Sequence, residues 1–433
     1  MSSLLIKGAT VLPMTGPDNI YVSGEIAVEG SEIVCAGPPG SVPRDFTPER
    51  VIDASGKAAI PGLVNCHTHA SMTLLRGYAD DLPLMKWLKD KIWPLEAKLT
   101  PEDIYWGALL SCLEMIKSGT TAFADMYFVM DMVAKAVLES GLRACLSRGM
   151  IGVGPQAEAA VEESVSFFRE WQGAAGGRIK VMFGPHAPYT CPPDYLKRVA
   201  DLASRCGAGI HIHVAETKDE IEQIQELYGN TPVKHLWKTG LFEVPVLAAH
   251  CVHLDGEDVE ILAENQVAVA HCPQSNMKLA SGISPVERLL ARGVTVGIGT
   301  DGAASNNNLD MVEEMRTAAL LQKVYTGDPT ALPAYTVLEM ATRGGALALG
   351  LEDVGCLAPG MKADIVLIDL HRPHLFPRHD IAAHLVYAAQ ASDVDTVIVD
   401  GKIIMEKRRV LTLDEERVMA CAQERAFDLV RRS

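Results

Sequence analysis

Two histidines stand one residue apart in PGLVNCHTHA, residues 61–70, directly after a short apolar run. Residues two apart on a β-strand project to the same side, so His67 and His69 can chelate one metal ion. A third imidazole, His213, lies at the end of the apolar run AGIHIHVAE, and a carboxylate, Asp301, at the end of GIGTDG. Three imidazoles and one carboxylate suit zinc or a similar borderline divalent ion, with one coordination position left for water. Such an ion lowers the pKa of a bound water from about 15.7 to about 7, which makes hydroxide available at neutral pH. Glu216, three residues past His213, could serve as general acid or base, or simply as an acid in the first turn of a helix in ETKDEIEQIQELYG. His250 in AAHCVHL could steady the nucleophile or make a structural hydrogen bond. His271 in AHCPQSN fits support of the site or packing equally well, and Asp125 in FADMY stays open. His211 reads as core and His253 as surface.

These side chains need a frame that brings distant segments together. From residue 59 to 355, eight β-rich runs alternate with amphipathic segments: AAIPGLVN, GTTAFADM, LRACLSRG, IKVMFGPH, AGIHIHVAE, VPVLAAHC, VAVAHCPQ and TVGIGTDG. Near-continuous apolar runs of this kind are the form of parallel strands buried on both faces. In TPEDIYWGALLSCLEMIKSG, Thr100 reads as N-cap, Pro101 as the first helical residue and Gly119 as terminator. Eight strand-helix units predict an α/β fold of the (β/α)8 TIM-type barrel class, whose active site is built at the carboxyl ends of the strands. At or just past those ends lie His67, His69, Asp125, Arg148, His186, His213, Glu216, His250, His271 and Asp301. A buried polar group without a partner costs about 1–3 kcal/mol, so a shared polar pocket explains the pattern better than packing does. Short β-rich runs at both ends predict a composite β-sandwich from residues 1–58 and 356–433, attached to a catalytic barrel over 59–355.

The 433 residues are 48% hydrophobic and carry a net charge of −16, with no apolar run of membrane-spanning length. The charge argues against a nucleic-acid partner, and the pattern argues against a membrane one. A small molecule is the expected ligand. The ten cysteines form no C-x-x-C pair, and MSSLLIKGATVLPM reads as a strand rather than a secretory signal, which points to the cytoplasm. H-E-x-x-H, the P-C-x-x-C of cytidine-type zinc deaminases, the P-loop and G-x-S-x-G are absent.

The ordered segments PGLVNCHTH, HIHVAE, AAHCVHL, HCPQSN and GTDGAASNN, with the terminal strand sets, resemble the amidohydrolase superfamily. LRGYADDLPLMKWL together with GTDGAASNN resembles its 5-methylthioadenosine/S-adenosylhomocysteine deaminase branch. That resemblance implies His67, His69, His213 and Asp301 as ligands of one divalent ion per subunit, zinc, with iron or manganese as alternatives. It implies that Glu216 protonates a ring nitrogen of adenine, that His250 positions the hydroxide, and that Asp301 carries the water proton to the leaving amine. Glu96 in WPLEAKL would hold the ribose hydroxyls, with Trp87, Arg148 and His186 as further substrate contacts and Glu216 and Asp301 at the base. The implied reaction converts the adenine of 5'-methylthioadenosine, S-adenosylhomocysteine or adenosine to hypoxanthine with release of ammonia, in a homo-oligomer. Some members carry a second arginine about a dozen residues after the one matching Arg148; GVGPQAEAAVEES offers only acids there, which favours methylthioadenosine or adenosine. Relatives that deaminate guanine or cytosine, or hydrolyse triazines, share the same nucleophile. A non-catalytic barrel would be expected to have lost part of the ligand set, which is intact.

Overall fold

The computed structural model describes residues 3–432. Its centre is a ring of eight parallel strands: β1 (Leu63–Thr68), β2 (Thr120–Tyr127), β3 (Arg143–Met150), β4 (Ile179–Pro185), β5 (Ile210–Val214), β6 (Val246–His250), β7 (Ala268–His271) and β8 (Val296–Ile298). Each pairs with the next in chain order. The first and last meet where Asp301 N donates to the His67 carbonyl at 2.9 Å and Thr300 N to Asn65 Oδ1 at 3.0 Å. Every residue of β1, β2, β5, β6, β7 and β8 is buried, which is why these runs are apolar without alternation. The expected TIM-type barrel is what forms.

The helix Pro101–Ser118 begins as its sequence dictates. Thr100 accepts from Asp103 N while the Asp103 carboxylate accepts from Thr100 N at 2.8 Å, and Gly119 ends the helix at φ +90°. Between β1 and this helix, the helical segment Leu84–Glu96 contains one wide π turn at Leu88–Ile92 and lies over the strand ends.

Strands from the two chain ends share one nine-stranded mixed sheet with its own core, including Ile6, Ile26, Ile33, Ile365 and Leu367. The seam is the antiparallel pairing of Lys57–Pro61 with Ile365–Asp369. The run AAIPGLVN is therefore two strands, one in each sheet, broken at Gly62. There the chain turns so close to β2 that a Cβ would sit 1.9 Å from Thr121 Oγ1. At the amino end of β3, the buried Arg143 guanidinium pairs with Asp364 at 2.9 and 3.1 Å and with Asp400 at 3.3 Å, joining barrel to mixed sheet. Among the described residues, no helix is long and apolar enough to cross a membrane.

Candidate active site

At the carboxyl ends of the barrel strands, β1 supplies His67 and delivers His69 just beyond its end, while β5 supplies His213. The chain after β8 supplies Asp301 at φ +62°, a left-handed conformation held by the bond from its N–H to the His67 carbonyl. Two of the rings have their tautomers set by backbone. His69 Nδ1 meets the Met126 carbonyl at 2.6 Å and His213 Nδ1 the His186 carbonyl at 2.7 Å. A carbonyl only accepts, so Nδ1 carries the proton and each Nε2 presents a lone pair. The Nδ1 of His67 lies 2.8 Å from Nε2 of His211, and its own Nε2 is buried without a hydrogen-bond partner.

The Nε2 atoms converge. His69 Nε2 lies 3.3 Å from His213 Nε2 and 3.3 Å from Asp301 Oδ1, and His67 Nε2 lies 3.5 Å from the same oxygen. Four donors arranged tetrahedrally, each about 2.1 Å from one ion, are about 3.4 Å apart. Facing lone pairs at that separation repel unless a cation lies between them, so the donor set fits a single divalent ion. Burial pushes His67 down to about 4 and His211 and His213 well below the ordinary imidazole value, which keeps the rings in the neutral, ligating form. For Asp301 burial acts in the opposite sense, but contacts with the His67, His69 and His250 rings outweigh it and hold the carboxyl well below its usual range. Its other oxygen accepts from Ser275 Oγ at 2.6 Å and Ser305 Oγ at 2.9 Å.

Beside this set, Glu216 Oε2 lies 3.8 Å from His250 Nε2, and Glu216 Oε1 lies 3.4 Å from Ser281 Oγ. Glu216 is 7% exposed, and burial pushes its carboxyl up, toward the protonated form a general acid needs. Burial works against charge on His250, yet the carboxylates of Glu216 and Asp301 together raise its pKa. Its Nδ1 bonds Asn276 Oδ1 at 2.9 Å, which leaves Nε2 facing the cavity.

The cavity above is lined by His69, His213, Glu216, His250 and Asp301 below and by Trp87 and Glu96 from the helical segment above. His186 also lines it, its pKa driven down to about 4 by burial. Glu96 accepts from Tyr127 Oη at 2.7 Å. Arg148 is placed differently: it lines an adjoining outer chamber with Trp93, Glu96 and Phe128, and its guanidinium is bonded to Glu163 and to the Gly149 carbonyl. Asp125 lies outside the cavity wall, where it accepts from Thr68 Oγ1 at 2.8 Å and Ala70 N at 2.6 Å and so ties down the residues on both sides of His69. His271 is fully buried, and neither ring nitrogen has a partner among the described residues.

The amidohydrolase family profile matches residues 58–404. The chain belongs to the amidohydrolase family. It is 69% identical over 432 residues to a 5-methylthioadenosine/S-adenosylhomocysteine deaminase of Pelotomaculum thermopropionicum, with 100% of each chain covered. The fold superposes on a zinc-bound adenosine deaminase from Xanthomonas campestris with a TM-score of 0.96 at 36% identity, covering 99% of each chain. An atrazine chlorohydrolase from Arthrobacter aurescens, also in complex with zinc, gives 0.90 at 26% identity over 98% of this chain and 100% of the other.

In this amidohydrolase, several residues that serve the site lie within HIHVAE and HCPQSN, where sequence reasoning gave them no role in the chemistry. His211 is core, as expected, but it is also the partner of His67; sharing the inward side of β5 with His213 was the available signal. Ser275 and Asn276 follow β7 on the short helix Pro273–Lys278, and their roles depend on Asp301 and His250 arriving from other strands.

Proposed function

We propose that this protein is a hydrolytic deaminase that converts the adenine base of 5'-methylthioadenosine, S-adenosylhomocysteine or adenosine to hypoxanthine and releases ammonia. The observation that carries the reading is the convergence of His67, His69, His213 and Asp301, with donor atoms 3.3 Å apart for His69–His213 and His69–Asp301 and 3.5 Å for His67–Asp301, beside the buried Glu216 carboxyl at the floor of a cavity. His67, His69, His213 and Asp301 would hold one divalent ion per subunit, and the zinc-bound relatives support zinc. Such an ion, when bound, supplies the Lewis acidity that makes water nucleophilic at neutral pH.

The remaining chemistry belongs to the side chains. Addition of water at C6 of adenine makes that carbon tetrahedral and places an electron pair on the adjacent ring nitrogen, which must be protonated as it forms. Glu216, buried and biased toward its protonated form, gives that proton. His250 orients the attacking oxygen through Nε2, with Asn276 keeping the ring in register. Asp301 takes the proton lost by water and passes it to the departing amine, which leaves as ammonia, while the proton of the new C6 hydroxyl returns to Glu216 as the carbonyl forms. Glu96, oriented by Tyr127, accepts from the ribose hydroxyls; Trp87 and His186 wall the nucleoside, and Arg148 borders the chamber into which its 5' substituent extends.

The test is to follow the adenine-to-hypoxanthine absorbance change with methylthioadenosine, S-adenosylhomocysteine, adenosine and free adenine. Turnover of the nucleosides and not the free base is expected. Turnover of guanine or a triazine with none of the four would replace the substrate assignment.

A further inference from the structure

Glu216 does not lie on its strand. β5 ends at Val214, and the next residue, Ala215, adopts φ +53°, a left-handed conformation that a residue with a Cβ avoids unless its surroundings impose it. That reversal turns Glu216 into the cavity. What imposes it is visible in the hydrogen bonds. Ala215 N donates to Glu220 Oε1 at 2.8 Å and Glu216 N donates to Glu220 Oε2 at 2.8 Å, while the Ala215 carbonyl accepts from Val252 N and His253 N, each at 3.0 Å. Glu220 is buried and belongs to the first turn of the helix Lys218–Tyr228, where Thr217 caps its N–H at 3.3 Å. Thr217 and Glu220 have the spacing of a capping box, in which the glutamate ordinarily returns to the amide of the cap residue itself. Here the carboxylate reaches past that amide and grips the two before it, one oxygen to each.

We infer that Glu220 is a positioning residue for the reaction, whose two-oxygen grip on the Ala215 and Glu216 amides holds the strained turn that aims Glu216 at the substrate. The inference rests on the proposed role of Glu216 as acid, and its geometric part stands apart from that role. Glutamine at this position presents an NH2 group to one of two backbone donors, so one bond is lost and the turn is freed on that side. Aspartate is too short to span both.

The test uses the full-length metal-loaded enzyme at about pH 8.5, above the value near 7 to which burial pushes Glu220. In E220Q, amide exchange at Ala215 and Glu216 is expected to quicken by about tenfold or more, reporting release of the turn. The kcat for methylthioadenosine is expected to fall by about 10- to 100-fold with KM within about threefold, the signature of a displaced reacting group. Bound metal stays unchanged. Adding A215G to E220Q is expected to recover part of the lost kcat, because glycine takes the left-handed conformation without a Cβ penalty. If E220Q fails to fold, E220D carries the same readouts. Unchanged exchange at both amides overturns the inference, as does a lower melting temperature with kcat of the folded enzyme intact, or an A215G change that recovers nothing. Should E216Q turn over substrate like wild type, the acid role of Glu216 falls, while the exchange measurement still decides whether Glu220 holds the turn.

Discussion

Glu216→Gln separates proton donation from metal binding, because the structure places this carboxyl beside the donor set and outside it. Its nearer oxygen is 3.8 Å from His250 Nε2, whereas the convergent donors are Nε2 of His67, His69 and His213 with Asp301 Oδ1. Glutamine keeps the volume and can still accept from Ser281, so packing and metal content should be preserved. A positioned general acid is worth about 10²- to 10⁴-fold in rate. With Glu216 only 7% exposed, bulk water has little access to replace it, which favours the upper half of that range. We expect kcat to fall by about 10³-fold or more, equivalent to about 4 kcal/mol of transition-state stabilisation. The assay is steady-state deamination of methylthioadenosine together with elemental analysis of the same preparation. Loss of the metal with retention of much of the rate would refute the reasoning, since Glu216 would then be a ligand and not a proton donor.

Other perturbations read other parts of the molecule. His211→Phe removes the partner of His67 Nδ1 in a fully buried position and should weaken metal affinity by about 10- to 100-fold in a chelator competition. Asp364→Asn leaves the buried Arg143 guanidinium with Asp400 as its only paired carboxylate, and should cost about 3 kcal/mol in urea unfolding while kcat of the folded enzyme is unchanged. Burial raises Glu220 to about 7 from its ordinary value of 4.5, so between those values the folded state binds more protons than the unfolded one and stability falls as pH rises. That loss amounts to about 3 kcal/mol for this one group, and the stability of Glu220→Gln should therefore decline less than that of wild type from pH 5 to 7.5.

Much of this site was legible in the sequence because strand parity is a strict rule. His67 and His69 share a side, and apolar runs that stop at His213, His250 and Asp301 mark the carboxyl end of a barrel. Parity also explains what was less legible. Ser147 points inward, with its Oγ 3.3 Å from His211 Nδ1, so the adjacent Arg148 faces away from the barrel axis and reaches the outer chamber instead of the inner cavity. AAIPGLVN reads as one strand because its residues are apolar on both sides of Gly62; only the close approach of Thr121, distant in sequence, shows that the chain changes sheets there. The grip of Glu220 on the Ala215 turn was hidden for a different reason. Thr217 and Glu220 announce a helix start, and nothing in that spacing says which amides the carboxylate will take.

Four side chains from three separate parts of the barrel should meet on one cation. An anomalous difference map from crystals of the metal-loaded protein, recorded on either side of the zinc edge, tests it most directly. A single peak is expected about 2.0–2.2 Å from Nε2 of His67, His69 and His213 and from a carboxylate oxygen of Asp301, with Glu216 outside that distance. A peak ligated by Glu216, or no peak among these four side chains in protein that carries stoichiometric metal, would contradict it.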